Sequence, residues 1–322
     1  MKAAIVGYGS IGPVHARCLA ELGQELVAVC DRDEEALCRA PACRHYTDLD
    51  VMLAEEEIDV LHICTPHYLH APMILQALEK GIHVLCEKPL CISEDQITAI
   101  LRAERQSGGQ LGVCLQNRYN AANRYVKEYL RDKQQISAVG SVTWKRDAAY
   151  YRSGPWRGKW ETEGGGVLIN QALHTLDLAQ WMAGMPSSLR ATVSCLTLAD
   201  EIEVEDTAVI LGGERFAFYA TNGGVCDCPV ELTLRADGEW IKVMPHDVLI
   251  NGRHIHFDEE AVGHGKACYG SGHAALIADF YDCAATGRRF AINGAEGAKV
   301  VRLILAAYRS EGRETPIGGD AE

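Results

Sequence analysis

No run of lysine or arginine occurs in the 322 residues, and 44 Asp and Glu outnumber 31 Lys and Arg, for a formal charge of −13. Binding along a nucleic acid or an anionic membrane draws on clustered cations that release counterions, so neither partner is expected. Apolar runs of membrane-spanning length are missing too. The opening MKAAIVGYGSIG is too short in its apolar part and too rich in glycine for a secretory leader. These absences point to a cytoplasmic chain. Internal repeats, low-complexity tracts and a flexible linker are likewise absent. Cysteine is not scarce, but its thirteen residues are odd in number and scattered, unlike the framework of a small disulfide-built domain. Cys30, Cys64, Cys86 and Cys114 each lie at the end of an apolar run (LVAVC, VLHIC, IHVLC, LGVC), where a thiol serves as a small buried hydrophobe in a reducing compartment. Cys226-Asp227-Cys228 and His254-Ile255-His256 have i, i+2 spacing that faces one side of a strand and offers a Cys2His2 zinc set. No short loop ties the two pairs together, so ordinary strand residues are expected there and no metal is assigned.

What is present is ordinary for a globular chain, 48% hydrophobic and 23% charged, and long enough for two domains. Residues 1–120 alternate strand and helix signals: strands over Lys2 to Val6, Glu25 to Cys30, Asp59 to Cys64, His83 to Cys86 and Leu111 to Gln116. Helices fill the gaps, over Pro13 to Leu22, from about His70 to Lys80, and after the capping Ser93. That spacing implies a parallel sheet built from right-handed crossovers. Residues 121–322 carry period-2 runs such as RATVSCLT, RFAFYATN and VELTLRA joined by Gly, Asn and Asp turns, which read as antiparallel strands. Helices over Ser271 to Thr286 and Ala295 to Ser310 close the chain.

Gly7-Tyr8-Gly9-Ser10-Ile11-Gly12 ends the first strand and opens a helix. Such glycines permit a tight turn and a close backbone approach to a pyrophosphate, which the aligned N–H groups of the helix start would hold. Asp31, nineteen residues after Gly12 at the end of the second strand, suits the ribose hydroxyls of NAD; Arg32 beside it leaves NADP open. Thr65, Pro66, His67 and His70 follow the next strand, and Glu87, Lys88 and Pro89 the one after. Ligands bind at the carboxyl ends of strands in such sheets, so these segments, with Gln116, are expected to border the cofactor. Further on, Gly164-Gly165-Gly166 leads into an apolar run read as one helix from Val167 to Met182. Asn170, His174, Asp177 and Trp181 then share one face, which suits either a satisfied core network or a site. Tyr151, Trp156, Arg157 and Trp160 lie in the loop before the glycines, a composition that fits a polyhydroxylated ring or a subunit contact.

The fingerprint, CTPHYLHAP, the Glu87-Lys88-Pro89 tripeptide, Gln116-Asn117-Arg118-Tyr119 and GGGVLINQALHTLD together resemble the Gfo/Idh/MocA dehydrogenases over essentially the whole chain. The resemblance implies an α/β protein: an N-terminal Rossmann doubly wound parallel sheet (1–120), and a C-terminal α+β domain (121–322) with an open, mostly antiparallel sheet that binds substrate and builds dimers or tetramers. It implies hydride exchange between NAD(P) and a secondary alcohol or ketone of a sugar, cyclitol or related polyol. Lys88, His174 and Asn170 take the catalytic positions, while Asn117, Arg118 and the aromatic loop join Asn170 and His174 on the substrate side; Tyr269 and His273 are weaker pocket candidates. Many such proteins have Asp where Asn170 stands. An amide cannot take a proton, so proton transfer falls to His174 and Lys88, with Asp177 a candidate to fix the imidazole tautomer. The same resemblance leaves two alternatives: a glycoside-cleaving enzyme that recycles tightly bound NAD, and a non-catalytic dinucleotide sensor.

Overall fold

A computed structural model describes residues 1–213, 215–258 and 272–318, so Tyr269 lies outside the described residues. The chain divides into two units, Met1–Tyr119 with Glu260–Ala298, and Asn120–Glu259 with Lys299–Glu322.

The first unit alternates strands and helices in chain order: β1 (Lys2–Val6), α1 (Gly12–Glu21), β2 (Glu25–Cys30), α2 (Glu34–Cys38), β3 (Arg44–Tyr46), α3 (Leu49–Glu55), β4 (Val60–Ile63), α4 (His70–Glu79), β5 (His83–Cys86), α5 (Glu94–Gln106) and β6 (Leu111–Val113). The six strands are parallel in the order β3-β2-β1-β4-β5-β6, the doubly wound order of dinucleotide folds. β1 and β4 are neighbours on opposite sides of the order's reversal, so the turns after them open at the switch point. Ser93 caps α5 by accepting from the Gln96 N–H at 3.3 Å, as its position before the helix implies. The last strand is shorter than the sequence suggests: Gln116–Tyr119 coil into a 3₁₀ turn, and buried Arg118 pairs with the partly buried Glu296 at 2.8 Å. Cys30, Cys64, Cys86 and Cys114 are all buried, and burial raises each thiol's pKa.

The second unit begins with α6 (Ala121–Tyr129), β7 (Ile136–Thr143) and α7 (Ala148–Arg152). The run read as one helix is two, α8 (Val167–Asn170) and α9 (Leu173–Ala183). At the break the Ala172 N–H reaches the Val167 carbonyl at 2.8 Å, a wider turn than the α pattern, and re-aims Gln171. There follow β8 (Ser188–Ser194), β9 (Thr207–Gly212), β10 (Phe216–Thr221), β11 (Glu231–Ala236), β12 (Glu239–Val243), β13 (Asp247–Ile250) and β14 (Arg253–His256). In chain order α10 (Gly272–Thr286) comes next and belongs to the first unit, α11 (Gly294–Ser310) begins in the first unit and continues into the second, and β15 (Thr315–Pro316) closes the second. Nine strands form one sheet, β14-β13-β12-β11-β7-β10-β9-β8-β15, antiparallel except that β7 and β10 run parallel. One face carries α9 against β7, β10 and β11. Val139, Val209, Leu211, Tyr219 and Trp240 stay more than 40% exposed. No helix among the described residues is long and apolar enough to cross a membrane.

Candidate functional site

The glycine turn of the first unit is built by close packing at two of its three glycines. Gly7 has φ +90° and a side chain there would stand 2.6 Å from the Cys64 carbonyl carbon; at Gly12 it would meet the Gly7 carbonyl oxygen at 2.3 Å. At Gly9 an added Cβ meets no protein atom within 4 Å. The backbone at Gly9 is therefore an exposed cradle whose need for glycine does not come from the protein, as expected where a pyrophosphate lies over the start of α1. Asp31 follows β2 beside this turn, its carboxylate accepting from the Tyr8 N–H at 2.5 Å and the Asp33 N–H at 2.9 Å. Arg32 is exposed.

Beyond β4 and β5, the structure separates residues that face outward from residues that hold the loops. His70 is buried and its ring nitrogens lie 2.7 Å from the Pro89 carbonyl and 2.8 Å from the Thr65 carbonyl, clasping the two loops. Burial lowers its pKa despite those two acceptors. His67 is buried against it, with ring centroids 5.9 Å apart. Thr65 is partly buried and bonds Met73 Sδ; Pro66 precedes a short 3₁₀ turn. Glu87, expected at the cofactor, is 7% exposed and turns into the fold. One carboxylate oxygen lies 3.1 Å from His15 Nε2 and 3.4 Å from His273 Nε2, while the other accepts the Lys88 N–H at 3.2 Å. His15 continues to His62 at 2.7 Å and His62 to the Tyr281 hydroxyl at 2.9 Å. Burial works to raise the Glu87 carboxyl, but hydrogen bonds from His15 and His273 hold it well below the usual range, so it stays ionised. This chain anchors the partly buried Lys88, joined to Pro89 by a cis peptide. His15, His62 and Tyr281 escape sequence reading because each sits in an apolar helix or strand pattern and meets its partner only in the fold.

In the second unit, Asn170 is partly buried and donates to Glu163 Oε1 at 2.5 Å and to the Tyr150 hydroxyl at 3.3 Å. Glu163 is wholly buried, and its other oxygen accepts the Gly158 N–H at 2.5 Å. The Tyr150 hydroxyl also receives Gln171 at 2.9 Å and Arg157 at 2.7 Å, and burial pushes its phenol pKa up. Gln171 extends the network to Asn222, which donates to Tyr151 at 2.8 Å. Glu163 and Tyr150 are thus candidate site residues, through their bonds to Asn170, that sequence reasoning missed, although an acid directly before three glycines was a signal. With its amide nitrogen held by Glu163, the remaining polar atom of Asn170 is an acceptor, suited to orienting a hydroxyl. His174 is partly buried in the first turn of α9, and buried Asp177 accepts from Gln180 at 2.9 Å.

The aromatic loop is distributed unevenly. Arg157 stacks over the Tyr150 and Trp156 rings at 4.5 and 4.4 Å. Tyr151 is instead buried in a cluster with Ile202 and Val204, and Trp160 bonds the Glu203 carbonyl and packs edge-on against Tyr308. Asn117 is partly buried in the 3₁₀ turn after β6. Among the described residues, Cys226 and Cys228 do not join His254 and His256 in a metal-ligand group.

Placing an acid at position 170 is expected to do harm. Asn170→Asp sets a carboxylate about where an amide lies 2.5 Å from Glu163 Oε1. Two such charges cannot both ionise when buried, so one stays protonated in the fold while both ionise in the unfolded chain. The folded state then binds more protons above the usual carboxylate range, and stability falls as pH rises, by about 1.4 kcal/mol per unit of raised pKa. Thermal melts of variant and parent from acid to neutral pH should diverge upward; parallel curves would show that Glu163 and residue 170 are not in contact.

Residues 1–115 match the family model described as "Oxidoreductase family, NAD-binding Rossmann fold", and residues 124–213 match "GFO/IDH/MocA C-terminal domain". The D-glucoside 3-dehydrogenase of Escherichia coli (strain K12) is 30% identical over 197 residues, 58% of this chain and 55% of that protein. The inositol 2-dehydrogenase of Rhizobium meliloti (strain 1021) is 29% identical over 220 residues, 66% of this chain and 64% of that protein. Such matches span about half to two thirds of the relatives' length. The WlbA dehydrogenase from Bordetella pertussis, solved with NADH and UDP-GlcNAcA, superposes with a TM-score of 0.86 at 28% identity over 99% of both chains.

Proposed function

We propose, since the chain belongs to the Gfo/Idh/MocA oxidoreductase family, that it is an NAD-dependent dehydrogenase oxidising a secondary alcohol of a sugar, cyclitol or related polyol, or reducing the matching ketone. The observation that carries this is the Gly9 cradle beside Asp31 in a sheet of doubly wound order. When bound there, NAD supplies the ring that exchanges hydride with the alcohol carbon. Residues Gly7 to Gly12 would hold the pyrophosphate and Asp31 the adenosine ribose, with the segments from Thr65, Glu87 and Gln116 bordering the nicotinamide half. Lys88 places an ammonium where negative charge grows on the substrate oxygen, and His174 takes the proton from that oxygen. Asn170, oriented by Glu163, accepts from a neighbouring hydroxyl. Trp156 and Arg157, with Asn117, supply stacking and polar contacts that suit a ring with apolar faces and a hydroxyl rim. The exposed apolar sheet face of Val139, Val209, Leu211, Tyr219 and Trp240 supports self-association into dimers or tetramers.

Gly9→Val should keep the fold, changing stability by no more than about 0.5 kcal/mol, because Gly9 is exposed and an added Cβ meets no protein atom within 4 Å. Its affinity for NAD should drop at least about tenfold, since the side chain occupies the cradle. Calorimetric titration measures this, and unchanged affinity would move the cofactor off this turn. The function itself is tested by mixing the protein with NAD and a panel of sugars, cyclitols and their keto forms while following the reduced-nicotinamide band and quantifying product. Equal amounts of reduced cofactor and ketone support the dehydrogenase. Cleaved glycoside with no net reduced cofactor would replace it with the recycling reading, and tight binding without any product with the sensor.

A further inference from the structure

The histidine pair of β14 finds a different companion from the cysteines. His254 and His256 are two residues apart and share one face of the strand; antiparallel pairing with β13 sets Asp247 opposite His256 on that same face. Asp247 Oδ1 lies 2.6 Å from His254 Nε2 and 2.8 Å from His256 Nδ1, and one ligand atom from each residue falls within 4.8 Å of the others. β14 is the end strand of its sheet, and the two imidazole side chains are 58% and 55% exposed, so the trio is reachable from solvent. A second feature points the same way: the other ring nitrogen of His256, Nε2, lies 3.2 Å from Asp258 Oδ1. An imidazole with one nitrogen at a centre and the other on a carboxylate is how proteins orient metal-binding histidines and raise their basicity.

We propose that Asp247, His254 and His256 form a binding site for a divalent transition metal of the zinc, nickel and copper class, oriented through Asp258. Two imidazoles and a carboxylate suit these ions rather than magnesium or calcium, which take oxygen donors. Ligand atoms around one tetrahedral zinc stand about 3.3 Å apart, as bond lengths of about 2.0–2.1 Å require. The two imidazoles need to open by only about 0.5–0.7 Å from their hydrogen-bonded distances to Asp247, which exposed groups do by rotation. Water fills the remaining coordination positions. The ion takes the place of the two hydrogens by which His254 Nε2 and His256 Nδ1 bond Asp247, each ring keeping or gaining a hydrogen on its other nitrogen, and ties β13 to β14 at the sheet's edge.

The test uses tag-free full-length protein stripped by chelator, titrated with Zn²⁺ by calorimetry and with Co²⁺ by visible absorbance. One saturable ion per chain and ligand-field bands of nitrogen and oxygen ligation are expected. His254→Ala and His256→Ala should each abolish saturable binding, and Asp258→Asn should weaken it about tenfold with the stoichiometry unchanged. Cys226→Ser with Cys228→Ser should leave it intact. The proposal is overturned if the parent binds no ion saturably, if binding survives loss of both histidines, or if it follows the cysteines. Independently of the variants, Zn²⁺ should protect His254 and His256 of the parent from histidine acylation read by mass spectrometry. Equal labelling with and without the metal would also overturn the site.

Discussion

Lys88→Ala is expected to lower turnover by about 10²–10⁴-fold while leaving the affinity for NAD almost unchanged, and His174→Ala to do the same. The reasons differ. In the proposed reaction the oxygen becomes alkoxide-like as hydride leaves carbon, and an ammonium beside it in a partly dry site would be worth far more than in water. Without Lys88 that charge has no fixed partner. Without His174 the proton has no acceptor of suitable basicity, since Asn170 is an amide. Both effects act in the transition state, so kcat should drop with KM little altered, which steady-state kinetics with the best substrate from the screen resolves. The pH profile separates the roles: a base works only when neutral, so His174→Ala should erase the acid limb of the profile, whereas Lys88→Ala should lower it throughout. The double variant should lose less than the product of the two single losses, as groups serving one proton and one oxygen act together. Near-parental turnover in either single variant would remove that residue from the mechanism.

Gly166→Ala is expected to be the most damaging single methyl in the second unit. An added Cβ would stand 1.9 Å from the Glu205 carbonyl oxygen and 3.0 Å from Val204 Cγ2, and the first neighbour is backbone that cannot rotate away. The same glycine donates its N–H to the Glu205 carboxyl at 2.8 Å, which also accepts Leu168 N–H and the Tyr308 hydroxyl, each at 3.0 Å. Burial pushes that carboxyl up to about 7, against the pull of its hydrogen-bond donors. Glu205 is therefore the peg on which the start of α8 is hung, and the methyl displaces it. A loss of about 3–5 kcal/mol follows, enough to leave much of the chain unfolded or insoluble. Gly9→Ala is the control, since its methyl meets nothing. Denaturant melts of the two variants compare them directly. A Gly166→Ala protein as stable as the Gly9→Ala protein would mean that the glycine run is not packed on Glu205.

Which features were legible follows from how local their causes are. Strands such as Glu25–Cys30 and His83–Cys86 run between clear turn signals and take the bounds their sequence implies. β3, three residues with two of them exposed, has no such pattern and is set by pairing with β2. The helix from Val167 breaks at Gln171 and Ala172 because Gln171 bonds Tyr150 and Asn222, 21 and 51 residues away, contacts that no window of sequence contains. The parallel pairing of β7 with β10 is equally non-local, as both strands alternate like their antiparallel neighbours. The glycine turn after β1 and the place of Asp31 at the end of β2 were readable because both are set by the local backbone. Glu87 was assigned to the cofactor from its place after β5, yet the fold turns its carboxylate toward His15 and His273. Arg118, expected at substrate, is held by Glu296.

Deuterium reports the proposed hydride transfer most directly. The protein would be incubated with NAD and a panel of aldoses, cyclitols and related polyols deuterated at their carbinol carbons, and the reduced cofactor analysed by mass spectrometry. One deuterium from one class of these alcohols should appear in the reduced nicotinamide, and Lys88→Ala and His174→Ala should abolish its appearance within the same time. Reduced cofactor that carries no deuterium, or none formed from any member of the panel, would contradict the proposed transfer.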